Sequence, residues 1–234
     1  MRILITNDDG ISAPGLIRLV RSALPFGDVT IVAPDREHSA QARRITVDRP
    51  IDLLPYAFSV PGVTAWSCSG SPVDCIRIAL SYLLPEKPDL VLSGLNYGNN
   101  AASDIQYSAT VGAALEAAHQ GVPAAAFSEA YHGNPAVTDR FLPVLLADLP
   151  DSCPERDAIL NVNFPEGECR GILTGRTVST GSLHRADFRL MEMFPDGGLR
   201  LNPGFVSDDF CEDGTDLQAL LNGYISIGVV NNLG

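Results

Sequence analysis

Residues 2–10 read Arg-Ile-Leu-Ile-Thr-Asn-Asp-Asp-Gly, an apolar run that leads directly into a polar turn. Because the apolar residues are continuous and do not alternate with polar ones, the run predicts a strand buried on both faces of a parallel sheet. Pro14 then opens a helical pattern that continues to Leu24, and residues 29–33 form a second buried strand. This stretch therefore predicts one βαβ unit with short connections.

The same alternation continues to about residue 165. Further buried strands are predicted over 89–93, 122–127 and 158–162, and helices over 72–84, 110–119 and 137–149. Strands that alternate with helices predict an α/β fold with a Rossmann-like, doubly wound, mostly parallel sheet in three α/β/α layers. We therefore assign residues 1–165 to one Rossmann-like domain, which would also hold any catalytic site.

Two segments depart from this pattern. Residues 45–67 contain short β-like pieces broken by prolines, which predicts an inserted or edge β-hairpin. After Pro165 the composition shifts to Gly, Asp and Thr, so residues 166–234 are predicted to form a β-rich C-terminal extension that serves as an oligomerisation arm. Within it, Asp213 and Asp216 are expected to be solvated turn residues.

Composition restricts the classes of function. Of 234 residues, 45% are hydrophobic and 19% charged, which is typical of a globular protein. The net charge of −12 argues against partners such as nucleic-acid polymers, which require a basic surface. No apolar run approaches the ~18 residues that cross a bilayer. The N-terminus lacks a leader pattern, so we expect a cytoplasmic protein with no membrane partner. The five cysteines form no CxxC pair and are expected to be free thiols.

Three polar segments follow predicted strands, at residues 7–10, 35–39 and 94–98. In an open α/β sheet, the loops at the carboxyl ends of the strands meet at the ligand site. Convergence of three such loops is therefore stronger evidence for a site than any one of them.

The first of these loops carries the adjacent carboxylates Asp8 and Asp9, which repel each other unless a cation neutralises them. With the Ser39 hydroxyl and the Asn96 amide oxygen, they would make an all-oxygen site for a hard divalent metal ion. The alternative is that Asn-Asp-Asp-Gly is merely a turn, since such residues favour turns.

The third loop and the segment after it predict an anion site. Gly98 lets the backbone approach a ligand, and Ser108 and Thr110 lie where a helix begins, at amides that could hold a phosphate. Capping of that helix is the alternative role for the two hydroxyls. Asn7 and Asp104 complete the substrate-binding set, with an ordinary loop role left open for Asp104.

Lys87 is the only lysine of the chain. An acidic protein that handles phosphate then needs another source of positive charge, and a bound metal ion is the obvious substitute. We expect one divalent ion per subunit, Mg²⁺ or Mn²⁺. His38 could contact a phosphate or be an exposed loop residue.

Six motifs occur in order over residues 1–165: ILITNDDGISAPGL, VAPDREHSA, SGSPVDCIRIAL, PDLVLSGLNYGNN, YSATVGAALEAAHQGVPAAAFS and LNVNFP. They resemble the ordered motifs of the SurE family, the stationary-phase survival nucleotidases. The resemblance implies a metal-dependent 5′/3′-nucleotidase with a Rossmann-like core, dimeric or tetrameric through a C-terminal extension. Some members also remove terminal phosphates from short polyphosphate. The resemblance places the metal ligands at Asp8, Asp9, Ser39 and Asn96, the set that the strand ends also predict.

The chain departs from the family pattern by small substitutions. Ala40 and Ala109 stand where the family usually has glycine, Ser71 stands for threonine, and a glycine is common near Ala101-Ala102. These changes are expected to preserve the metal site, although Ala109 removes backbone freedom near the phosphate. Residues 228–230 replace a Thr-Pro-Leu continuation, which leaves the choice between homodimer and homotetramer open.

The resulting hypothesis is a phosphatase for nucleoside 5′- and 3′-monophosphates, with Asp8 and Asp9 as catalytic residues and a small nucleotide as the bound partner. One alternative is an enzyme that forms an aspartyl-phosphate on Asp8 or Asp9. Such enzymes place a lysine near the carboxylate, and Lys87 precedes a strand at its wrong end. A second alternative is a nucleotide-binding regulatory protein without turnover.

Overall fold

The structure is a computed structural model of the chain, and it describes residues 1–154, 156–208 and 211–232. The strands within these residues are β1 (Arg2–Thr6), β2 (Asp28–Pro34), β3 (Leu53–Pro55), β4 (Thr64–Cys68), β5 (Leu90–Tyr97), β6 (Ala124–Glu129), β7 (Ala158–Phe164), β8 (Ile172–Arg176), β9 (Arg185–Ala186), β10 (Arg189–Met193), β11 (Leu199–Asn202), β12 (Phe205–Val206) and β13 (Ile225–Asn231).

The helices begin where the sequence places prolines or capping residues. They are α1 (Pro14–Ala23), α2 (Pro72–Ile78), α3 (Ala109–His119), α4 (Pro135–Ser152) and α5 (Asp216–Leu221), with a π-helical turn over Ala79–Leu83 directly after α2. Pro14, Pro72 and Pro135 occupy the first turns of α1, α2 and α4, where the missing proline N–H costs no hydrogen bond. Among the described residues, no helix has the length and apolar character that crossing a membrane requires.

One sheet organises the molecule, with the strand order β3-β4-β2-β1-β5-β6-β7-β13-β8. Strands β4, β2, β1, β5, β6 and β7 are mutually parallel, whereas β3 pairs antiparallel with β4 and β13 pairs antiparallel with β7. The parallel part reverses its order on either side of β1, which is the Rossmann-like arrangement. The fold class predicted from the sequence is confirmed.

The apolar run of β1 is continuous because the strand lies between two helical layers. Ile3 and Ile5 face the core that α1 and α4 cover, while Leu4 faces the core that α2 and α3 cover. Because successive side chains of a strand point to opposite faces, a strand between two helical layers needs apolar residues at every position. All three side chains are almost wholly buried.

Residues 45–67 and 166–234, which break the alternation of strands and helices, differ in part from the structures predicted for them. Within 45–67 an edge hairpin does form, but its strands are β3 and β4, and residues 45–47 and 58–60 form no strand. After residue 165, β8 and β13 join the central sheet, whereas β10 pairs with β11 and β9 with β12 outside it. Residues 166–234 therefore contribute strands to the core as well as to a separate hairpin.

The expectation that Asp216 is a solvated turn residue was wrong. Asp216 is buried at the start of α5, where its carboxylate accepts hydrogen bonds from the backbone N–H groups of Ala102 and Ser179 at 2.9 Å each. A buried carboxylate requires such donors, because an unpaired one would cost several kcal/mol. Asp216 thereby ties the loop after β5 to the C-terminal part of the chain.

Two of the alanines that stand where the family usually has glycine adopt left-handed backbone conformations. The φ angle is +57° at both Ala40 and Ala102. Glycine takes this conformation without steric cost, whereas a Cβ makes it unfavourable by roughly 1–2 kcal/mol. The backbone at these two alanines therefore has the conformation that glycine adopts most easily.

We expect Ala102→Gly to destabilise the protein less than Ala101→Gly, by about 1 kcal/mol in the free energy of unfolding. The two alanines are neighbours and both are fully buried, but Ala101 has an ordinary φ of −135°. Each variant loses one buried methyl group, and only Ala102→Gly also relieves a left-handed conformation. Urea denaturation of both variants measures the difference, and equal losses would contradict the strain argument.

Candidate active site

The polar loops that follow β1, β2 and β5 meet at the carboxyl edge of the sheet. The backbone N–H of His38, after β2, donates to the carbonyl oxygen of Asp8 at 2.7 Å. The backbone N–H of Tyr97, at the end of β5, donates to Oδ2 of Asp9 at 3.2 Å. The convergence of the three polar segments, predicted because each follows a strand, is therefore present in the structure, although residues 94–97 of the third segment belong to β5 itself.

Asp8 is 4% exposed and lies at the centre of this edge. The Thr110 hydroxyl donates to its Oδ1 at 2.5 Å, from the first turn of α3. Burial raises the pKa of Asp8 above its ordinary value, against the opposing effect of the Thr110 hydrogen bond. Thr110, predicted to contact substrate, is thus placed so that its hydroxyl fixes the orientation of a carboxylate.

Asp9 is partly exposed and follows Asp8 directly. Burial, followed by the charge of Asp8, raises the pKa of Asp9 to about 7. Two adjacent carboxylates in a poorly solvated place resist ionisation together, so the pair is in a high-energy state whenever both are charged.

Ser39 enters from the loop after β2, whereas Asn96 lies in β5, because the strand predicted to end at residue 93 continues to Tyr97. The amide nitrogen of buried Asn96 donates to the carbonyl oxygen of Gly98 at 2.7 Å, which leaves its side-chain oxygen for a ligand. Ser39 is exposed, and its hydroxyl donates to Oε1 of Glu37 at 2.8 Å. The structure places Ser39 in the converging loops, but with its hydroxyl turned to a neighbour in its own loop.

The donor set fits a hard divalent cation. It consists of two carboxylates, an amide oxygen and a hydroxyl, the oxygen ligands that Mg²⁺ and Mn²⁺ accept. Buried Oδ1 of Asn7 and Nε2 of His38 have no hydrogen-bond partner among the described residues, and both belong to these loops. Within the part of the chain that the structure describes, no three His, Cys, Asp or Glu residues cluster at metal-binding spacing.

The ammonium group of Lys87 does not reach the carboxylate pair. Its Nζ donates to the carbonyl oxygen of Gln120 at 2.8 Å, just beyond the C-terminal end of α3. Asp8 meets the opposite, N-terminal end of that helix through Thr110. The carboxylates therefore have no lysine to neutralise them.

Ser108, Gly98 and Asp104 of the predicted substrate-binding set already form hydrogen bonds within the protein. The Ser108 hydroxyl accepts from the backbone N–H of Val111 at 3.0 Å and so caps α3. The N–H of Gly98 donates to the carbonyl oxygen of Glu129 at 2.7 Å, so this amide is already engaged. Asp104 accepts hydrogen bonds from residues 182–184, which makes it an anchor for the C-terminal segment.

Two residues of the site were missed or misjudged from the sequence. His38 is 6% exposed, with Nδ1 3.0 Å from Oε1 of Gln41, so it is not an exposed loop residue. Glu129, which ends β6, is buried and pairs with Arg18 at 2.5 Å. Its Oε2 also accepts from the Thr138 hydroxyl at 2.9 Å. Only the strand register brings Glu129 beside Tyr97, and no local pattern indicates that.

The fold and the site together define the class of protein. It is a Rossmann-like α/β protein with an acidic, oxygen-rich site at the carboxyl edge of its sheet. Residues 3–184 match the family model described as Survival protein SurE, so the chain belongs to the SurE family. The resemblance that the sequence motifs indicated is confirmed.

Relatives extend this match over almost the whole chain. The 5′-nucleotidase SurE of Flavobacterium psychrophilum is 40% identical over 236 residues, covering 96% of this chain and 89% of the relative. The 5′-nucleotidase SurE 2 of Chlamydia caviae is 43% identical over 248 residues, covering 98% and 84%. The crystal structure of the SurE protein from Aquifex aeolicus superposes with a TM-score of 0.81 at 29% identity, covering 99% of this chain and 93% of that one.

In the presence of a chelator, we expect Asp9→Asn to raise the free energy of unfolding at about pH 8 by ~2 kcal/mol. The folded pKa of about 7 exceeds the ordinary value of 3.8, so wild-type stability falls as the pH rises between these values. The gain from the neutral side chain should accordingly vanish near pH 4. Urea denaturation at both pH values measures it.

Asp35→Asn is the matched control, because it removes an exposed carboxylate from the neighbouring loop of the same edge. If both variants change stability equally at about pH 8, the unfavourable burial of Asp9 is refuted.

Proposed function

We propose that this protein is a divalent-metal-dependent phosphatase that hydrolyses nucleoside 5′-monophosphates, and also 3′-monophosphates, to nucleoside and phosphate. The observation that carries the proposal is the Asp8–Asp9 pair at the converging strand ends, with Asp8 buried, Asp9 partly exposed and no lysine to neutralise them. The names of the relatives from Flavobacterium psychrophilum and Chlamydia caviae support a 5′-nucleotidase.

Asp8, Asp9, Ser39 and Asn96 would hold the ion, one per subunit. When bound, Mg²⁺ or Mn²⁺ would supply the positive charge that polarises the phosphate ester and makes a water molecule more acidic. Ser39 would exchange its hydrogen bond with Glu37 for this role. Asn7, whose buried side-chain oxygen lacks a partner among the described residues, would accept a hydrogen bond within the filled site.

The protein's own groups perform the positioning. The Thr110 hydroxyl fixes Oδ1 of Asp8, and the Tyr97 amide fixes Oδ2 of Asp9, so both carboxylates are oriented before substrate binds. Backbone amides in the first turn of α3 would hold phosphoryl oxygens at the positive end of the helix dipole. We assign proton acceptance from the attacking water to Asp9, because it is the more accessible of the two carboxylates.

An aspartyl-phosphate mechanism fits less well. It relies on a lysine beside the phosphoaspartate, and Lys87 is held at the other end of α3. The second alternative, nucleotide binding without turnover, uses the same loops and is separated by a direct assay of phosphate release.

We expect Asp8→Asn to lower kcat for phosphate release from AMP by about three orders of magnitude, since it removes a buried ligand charge. Wild-type activity should require Mg²⁺ or Mn²⁺ and disappear on chelation. Because asparagine is isosteric and uncharged, the variant should retain the wild-type Tm or exceed it. A panel of 5′- and 3′-mononucleotides and short polyphosphate, assayed with each ion, measures these effects.

Asp35→Asn serves as the control for loss of charge and should keep wild-type turnover. Near-normal activity of Asp8→Asn, or full activity after chelation, would disprove the metal-site assignment. Metal-dependent nucleotide binding without any phosphate release would favour the regulatory alternative.

The hairpin of β10 and β11 supports the further proposal of a homo-oligomer, a dimer or tetramer. Its strands pair only with each other among the described strands, and its apolar side chains are exposed, among them Leu190 (55%), Met193 (67%) and Leu199 (55%). A two-stranded hairpin is marginally stable alone, and exposed apolar side chains on it favour a second copy as the covering partner.

We expect the double variant Leu190→Glu and Met193→Glu to lower the assembly state, because the charges would be buried unpaired at the contact. Light scattering measures the mass. The control is Tyr82→Glu, which places a charge at an exposed position after α2. An unchanged mass of the double variant would exclude the hairpin as the contact.

A further inference from the structure

We propose that Tyr97 and Tyr131 form an aromatic platform that stacks against the base of the substrate, so that the site favours nucleotides over phosphate esters without a base. The inference rests on the proposed function and deepens it, because it names the part of the substrate that the two rings recognise.

The two rings lie beside the carboxylate pair. Tyr97 directly follows Asn96, and its backbone N–H donates to Oδ2 of Asp9. Tyr97 is 55% exposed, and its ring centroid lies 5.0 Å from that of Tyr131, at an interplanar angle of 90°. Tyr131 is 52% exposed. Edge-to-face packing of two rings holds each in place while leaving aromatic surface open to solvent.

Tyr131 packs against Gly98, which directly follows β5. A Cβ atom added to Gly98 would lie 3.0 Å from Cε2 and Cζ of the Tyr131 ring. The absence of a side chain at Gly98 thus leaves room for the ring at the edge of the site. Burial, followed by the charges of Asp9, Glu37 and Asp8, raises the pKa of Tyr131.

Two further rings follow Tyr131, the first in contact with it and the second in contact with the first. The ring centroid of His184 lies 6.4 Å from that of Tyr131, at an interplanar angle of 80°. The ring centroid of Phe205 lies 5.8 Å from that of His184, at an interplanar angle of 86°. The aromatic surface that includes Tyr97 and Tyr131 therefore contains four neighbouring rings.

The chemistry of this surface selects its occupant. Asp9 and Glu37 repel a second anionic group next to the centre, so a neutral group is favoured there. Every nucleobase presents a flat, uncharged π-face, and stacking on aromatic side chains tolerates different bases. A mononucleotide has its phosphate at one end and such a face at the other.

The test compares two phosphate esters that differ by the base, AMP and ribose 5-phosphate, in the presence of Mg²⁺. In Tyr97→Ala and Tyr131→Ala, the ratio of kcat/KM for AMP to kcat/KM for ribose 5-phosphate should fall about tenfold, the order of effect that loss of a stacking contact produces. Tyr131→Phe should keep the wild-type ratio, since it retains the ring. Tyr82→Ala removes an exposed tyrosine after α2 and should also keep it.

A fall of equal size on both substrates, or an unchanged ratio in both alanine variants, overturns the platform. A changed mass by light scattering with an unchanged ratio assigns the rings to a contact between copies, and this too overturns it. If the wild type releases phosphate from neither ester, the proposed function fails. Calorimetric binding of AMP and ribose 5-phosphate then decides the platform separately: the alanine variants must weaken AMP binding about tenfold more than ribose 5-phosphate binding.

Discussion

Strand β1 pairs in parallel with β2 on one side and with β5 on the other, and the arrangement of the site depends on these two registers. Parallel strands end at the same edge of a sheet, so the loops after β1, β2 and β5 have to lie side by side there. The hydrogen bond from His38 to the Asp8 carbonyl and the one from Tyr97 to Asp9 are direct results of that pairing. The helical layers on both faces bury the strands and thereby fix the position of the edge.

The same arrangement creates a conflict between stability and chemistry. The sheet delivers two carboxylates to a place where water is scarce, and burial raises the pKa of each. Thr110 and the Tyr97 amide each offset only part of that unfavourable free energy, because each supplies one hydrogen bond. Sites that bind cations have this property in common: the protein tolerates unfavourable electrostatics that the ligand removes.

The sequence predicted those parts of the structure that depend on local pattern. The apolar run of β1, the prolines that begin α1 and α2, and the placement of Asp8 and Asp9 after a strand were all predictable, because each follows from neighbours along the chain. Asp216 and Glu129 were not, since their partners Ala102 and Arg18 are 114 and 111 residues away. Likewise the burial of His38 results from packing between loops. The roles of Ser39, Asn96 and the other site residues stay predictions.

The position of β13 has a consequence for how the chain is made. Strand β8 joins the sheet through β13 and through no other described strand, while β13 also covers the edge of β7. A ribosome produces residues 158–176 well before residues 225–231, so during synthesis β7 has an open edge and β8 has no strand to join. Unpaired edges of this kind promote misassociation between nascent chains. Among the described strands, β13 is thus the last to be synthesised and the one that joins β8 to the rest of the sheet, so a chain truncated just before it would leave the edge of β7 open and β8 unpaired.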